Sequence, residues 1–209
     1  RLDAAHAIVT PGEPHILNEL SVAVGELARD DGRHIHLVLE NDDNRASLLA
    51  PLEDPPHGRY RAQWNDDYHH AWHAWLTGES FGYYGDYADS ALHIARTMAD
   101  GFTYQGEPSP HRSGKRRGET SKDLSPLAFV NFLQNHDQIG NRALGERLAA
   151  LAAPAMAEAA LTILLLSPSP PLLFMGEEWG AQQPFPFFCD FTGDLANAVR
   201  TGRKREFAD

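Results

Sequence analysis

His34-Ile35-His36-Leu37-Val38-Leu39-Glu40-Asn41-Asp42-Asp43-Asn44 is the stretch on which the fold turns. A run rich in β-formers breaks off at a carboxylate and a polar segment, as expected of a buried parallel strand that delivers side chains at its C-terminal edge. Upstream, Ile16, Leu17, Leu20, Val24 and Leu27 recur at helical spacing as far as Asp31-Gly32, and Arg1-Leu2-Asp3 reads as the tail of an earlier strand. Downstream come a Pro-rich loop, a weaker strand at Tyr60 to Trp64, and helices over Asp66 to Leu76 and Tyr87 to Met98 joined by a turn at Gly78 to Gly85. Tyr104 to Pro126 has no apolar period, so it predicts a surface loop in which Arg112, Lys115, Arg116 and Arg117 form a solvated charge run. Phe129 to Leu133 restores strand character and exits through Gln134-Asn135-His136-Asp137-Gln138. Helical patterns follow over Arg142 to Leu151 and Ala155 to Leu166. Pro171 to Met175 reads as a last strand before Gly176-Glu177-Glu178, and a final helix begins near Leu195 and ends in the basic stretch Arg200 to Arg205.

This alternation predicts an α/β fold with a parallel sheet of five strands, ending at Asp3, Glu40, Trp64, Leu133 and Met175. Asp3 to Glu40 spans 37 positions and Asp137 to Glu177 spans 40, each near one βα unit, while the 97 from Glu40 to Asp137 leave room for two. A complete (β/α)8 barrel needs ~250 residues, and the chain has 209. The expectation is the C-terminal half of a (β/α)8 TIM barrel in a truncated chain. It would be one partial catalytic domain over residues 1–209, from the end of the fourth strand into the last barrel helix, with the natural N-terminus missing. A net charge of −11 argues against a nucleic-acid partner. The stretch from Leu148 to Met175 is broken by Pro154, Glu158, Pro168, Pro170 and Pro171, so it predicts buried structure and no membrane span. The single cysteine, Cys189, reads as a core thiol.

Neighbouring strand ends bearing Asp3 and Glu40 suit glycosidic cleavage with retention, which needs an ionised nucleophile and a protonated acid ~5 to 5.5 Å apart. Parallel neighbours lie ~4.8 Å apart, so short exits bring both carboxyls within reach. Arg1, two residues before Asp3 and on the same side, would keep Asp3 ionised; a neighbouring carboxylate and an apolar strand would keep Glu40 protonated. Asp137 beside His136 is placed to bind sugar hydroxyls and stabilise positive charge in the transition state. Trp64 is the candidate sugar-stacking ring, while Trp72 and Trp75, at helical spacing, are expected in the core. His69 and His73 share a helix face without the glutamate of a zincin, and Asn41 to Asn44 lacks EF-hand spacing, so no metal is predicted.

Arg1-Leu2-Asp3-Ala4-Ala5-His6, Leu39-Glu40-Asn41-Asp42 and Asn135-His136-Asp137 resemble the nucleophile, acid and stabiliser motifs of the α-amylase family, in the family's order. Trp64 to His70, Phe132 to Arg142, Phe174 to Gly180 and Phe185 to Phe191 are similar to the malto-oligosyltrehalose trehalohydrolase branch, glycoside hydrolases of trehalose biosynthesis. The resemblance implies hydrolysis of the α-1,4 bond next to the terminal trehalose of maltooligosyltrehalose, in the cytoplasm and without a cofactor. It implies that Asp3, Glu40 and Asp137 are catalytic and that Arg1, His6 and His136 line the cleaved glucose's site. Asp66, Asp67, Tyr68, His69 and His70, with Gln138 and Asn141, would shape the trehalose side. A branching transglycosylase, or a fragment without activity of its own, is the alternative.

Overall fold

A computed structural model describes residues 1–49 and 59–207. Most of the Pro-rich loop predicted after Asn44 lies outside these described residues. Three short strands, β1 (Val38–Glu40), β2 (Ala62–Trp64) and β5 (Phe129–Val130), form a parallel sheet in the order β1-β2-β5. Single bridges extend it on both sides, Leu2 against Leu39 and Pro171 against Asn131. Five chain segments therefore lie side by side in sequence order, as predicted. The strand expected from His34 shrinks to its last turn of pairing, because Val38 to Glu40 is the part in register with Ala62 to Trp64. Pro171 to Met175 forms no strand. Pro170 and Pro171 carry no N–H, and the contact is confined to Asn131 N–H donating to the Pro170 carbonyl and Leu172 N–H to the Asn131 carbonyl.

Crossover helices return the chain between these segments: α1 (Ile16–Asp30), α2 (Asp66–Thr77), α3 (Ser90–Asp100) and, after β5, α4 (His136–Gly140), α5 (Leu148–Leu151) and α6 (Pro154–Leu166); α7 (Gly193–Glu206) follows the last segment. Helix α1 ends at Asp31 with Gly32 at φ 61°, as the sequence predicted. Helix α3 starts later than Tyr87 because Gly82–Tyr87 forms a 3-10 helix. The helix expected over Arg142 to Leu151 is only its last turn, since Gly145 turns the chain at φ 69°, where a Cβ would strike the Phe185 and Pro186 backbone. No described helix is long and apolar enough to cross a membrane.

Apolar packing falls into two principal clusters. Leu17, Leu39, Tyr60, Phe102 and Phe129 close one side of the sheet, and Tyr68, Trp72, Leu133, Leu148, Ala160 and Leu164 join α2, α5 and α6. Trp75 departs from the core expectation by facing outward from α2, and Cys189 is exposed, lying in an extended segment instead of an interior element. The largest correction concerns Tyr104 to Pro126. It contains an antiparallel hairpin, β3 (Glu107–Ser109) against β4 (Lys115–Arg117), and Arg117 is buried within it.

Candidate active site

Register sets the site. Leu2 N–H donates to the Val38 carbonyl at 2.8 Å and Glu40 N–H to the Leu2 carbonyl at 2.9 Å, so Asp3 and Glu40 follow one another across adjacent strand ends. Glu40 is itself in register with Trp64. Arg1 Nη1 donates to Asp3 Oδ1 at 2.5 Å and also to Glu40 Oε2, while its guanidinium lies 4.2 Å from the Trp64 ring centroid. One face of Trp64 is thus covered by Arg1, and its edge meets His136 with ring centroids 6.1 Å apart. On that face the ring predicted to stack on sugar carries the arginine. Ala4, in the left-handed region at φ 44°, turns its N–H toward Glu40 Oε2 at 3.3 Å. A left-handed alanine costs roughly 1–2 kcal/mol, a strain located where it supplies a donor to the Glu40 carboxyl.

These surroundings push the two carboxyls apart. Burial, then a hydrogen bond to Asp3, raises Glu40 to about 7 against the pull of Ala4 N–H and Arg1. The same hydrogen bond and the Arg1 guanidinium hold Asp3 below its usual value. Asp137 stands in the first turn of α4, whose N-cap is a capping box: Asn135 Oδ1 accepts from Asp137 N–H at 2.8 Å, and Gln138 Oε1 accepts from Asn135 N–H at 3.0 Å. His136 Nε2 lies 3.4 Å from Asp137 Oδ2. The strand exit expected at Asp137 is therefore a capped helix start.

A cleft of about 210 Å³ opens beside this edge, lined by Glu40, Asp137, Gln138 and Asn141 together with Asp66 and His70. Burial raises Asp66 well above its usual value, with Asp42 and Glu40 adding to it, and lowers His70 well below its own. His6 stands behind the loop, its Nδ1 accepting from Asp42 N–H at 3.3 Å. Within the predicted stretch Asp66 to His70, three residues do not line the cleft. Tyr68 is wholly buried against Trp72, and His69 is held by the Leu133 carbonyl and the Tyr84 hydroxyl, burial lowering it to about 3. Asp67 is buried among backbone donors and Arg117. A helix shows only some of its faces to a cleft, so five consecutive residues cannot all line it.

The sequence reading missed Tyr83, Asp86, Tyr87, His111, Arg112 and Arg117, which also line the cleft. Arg112 and Arg117 bind Asp42, with Arg112 also on Asp43 at 2.6 Å. Burial works against the Asp42 charge, and the two guanidinium groups overcome it, leaving the carboxyl below its usual value. Two of the chain's Asp-Asp pairs, 42–43 and 66–67, were the available signal: an aspartate buried as deeply as Asp67 requires a cation.

No family model matches the chain. A malto-oligosyltrehalose trehalohydrolase from Arthrobacter ramosus is 39% identical over 209 residues, which is 100% of this chain and 36% of that protein. One from Saccharolobus solfataricus is 41% identical over 207 residues, 99% of this chain and 35% of the relative. The chain is homologous throughout to the malto-oligosyltrehalose trehalohydrolases. A crystal structure of a protein from Salmonella typhimurium, provisionally named an α-amylase, superposes with a TM-score of 0.90 at 48% identity, over 99% of this chain and 35% of that one. The chain thus spans about a third of the length of the trehalohydrolases it matches.

Proposed function

We propose that this chain is a catalytic segment of a retaining hydrolase that cleaves the α-1,4 bond beside the terminal trehalose of maltooligosyltrehalose, releasing trehalose and a shorter maltooligosaccharide. Similarity along the whole of this chain to about a third of the length of the trehalohydrolases supports the substrate. The observation that carries the chemistry is the sharing of Arg1 by Asp3 and Glu40 at adjacent strand ends, with one carboxyl lowered and the other raised to about 7. In this reading the Asp3 carboxylate attacks the anomeric carbon as the glycosidic C–O bond breaks, and Glu40 passes its proton to the departing oxygen. Glu40, now ionised, takes a proton from water; that water attacks the anomeric carbon and frees Asp3. Asp137 bonds sugar hydroxyls while positive charge develops, and Arg1, His6 and His136 surround the same glucose.

Asp66, His70, Gln138 and Asn141 are assigned to the trehalose side, since all four line the cleft. The five parallel segments are read as the second half of a (β/α)8 barrel running from the end of its fourth strand into its last helix, in a longer enzyme of the cytoplasm. The test is incubation of that longer enzyme with maltooligosyltrehalose. Free trehalose is the expected product; α-1,6 branches without free trehalose would make it a transglycosylase.

A further inference from the structure

The part of the cleft lined by Asp42 and Arg117 is built on a charge network centred on the buried Asp67. Asp67 is fully buried and accepts from Asn44 Nδ2 at 2.8 Å, Thr103 N–H at 2.7 Å, Tyr104 N–H at 2.9 Å, the Tyr87 hydroxyl at 2.5 Å and Arg117 Nη1 at 2.7 Å. Arg117 is only 4% exposed. Nη1 also donates to the Tyr87 hydroxyl at 2.7 Å, and the other donors go to the loop that follows Glu40: Nε to the Asp42 carbonyl at 2.7 Å and Nη2 to Asp42 Oδ1 at 2.8 Å. A planar guanidinium can fix both bodies at once, which an ammonium cannot. The next residue, Gly118, has φ 86°, and a Cβ there would lie 1.8 Å from the Tyr104 carbonyl oxygen, so the backbone beneath Arg117 is closely packed as well.

We propose that Arg117 is a positioning residue: it locks the loop leaving Glu40 to the first turn of α2, and so fixes where the Glu40 carboxyl meets the leaving oxygen. Asp42 is two residues from Glu40, and Asp67 adjoins Asp66, so the guanidinium sets the spacing between the two walls of the cleft. This inference rests on the hydrolase reading and deepens it. A displacement near 1 Å costs up to about a hundredfold in rate when it misaligns a proton transfer. It costs far less when the leaving group needs no proton.

That difference supplies the test, made in the full-length enzyme with Arg117→Met, Arg117→Lys and Asp42→Ala. Each is assayed on maltooligosyltrehalose and on α-maltosyl fluoride, whose fluoride departs unprotonated. For Arg117→Met, kcat on the natural linkage should fall by about a hundredfold with KM little changed, and on the fluoride by under about threefold. Arg117→Lys should recover part of the loss. Asp42→Ala keeps the buried Arg117–Asp67 pair and hence the fold; it should show the same selectivity in smaller measure, and it decides the matter if Arg117→Met fails to fold. Equal losses on both substrates, or no loss on either, would overturn the positioning role while leaving the hydrolase reading intact. A wild-type enzyme inert towards both substrates would overturn the hydrolase reading and this inference with it.

Discussion

Two carboxyls on adjacent strand ends are shifted in opposite directions by what each faces. Asp3 is exposed and bound by a guanidinium, whereas Glu40 is withdrawn from water beneath it. Glu40 must hold its proton to act as an acid, so with a value raised to about 7, kcat/KM should fall as pH rises through 7, and the acid limb should follow ionisation of Asp3 at much lower pH. A pH profile of the full-length enzyme checks this. A flat profile from pH 6 to 9 would remove Glu40 from the acid role. Asp3→Ala and Glu40→Ala should each lose most of kcat, at least about a hundredfold; a mild effect on either would mean that the roles are misassigned. These two residues were legible because strand ends and residue alternation are local properties. Asp67, Tyr68 and His69 were not, because which face of α2 meets the cleft depends on Leu133, Tyr84 and Arg117, all distant in sequence.

Elements set the third carboxyl. Asp137 owes its place to the capping box of a helix only five residues long, which would not persist without its cap. Asn135→Ala should destabilise the protein by about 1 kcal/mol and lower kcat as well, measurable as a shifted denaturant midpoint together with steady-state kinetics. Loss of stability with unchanged kcat would detach the cap from Asp137's role. The sequence displayed the pattern Asn135 to Gln138, yet read as a strand exit it gave the right position with the wrong geometry. The hairpin β3–β4 was hidden for a related reason: three-residue strands with charged side chains carry too little periodicity to register.

At the scale of the molecule, large apolar groups remain uncovered. Leu166 is 81% exposed, Trp179 74% and Phe188 88%. Such surface favours association, so the isolated 209-residue chain should form larger species as concentration rises, visible by light scattering, and should release no trehalose. A monodisperse, active chain would contradict both expectations. The sequence by itself determined the parallel order of the segments, the helix α1 to its last residues, and the carboxylates at the sheet edge, since each follows from nearest-neighbour pattern. Only the tertiary structure decided that Arg117 is interior. Its burial becomes tolerable when Asp42 and Asp67, 75 and 50 positions away along the chain, converge on one guanidinium and repay its lost hydration.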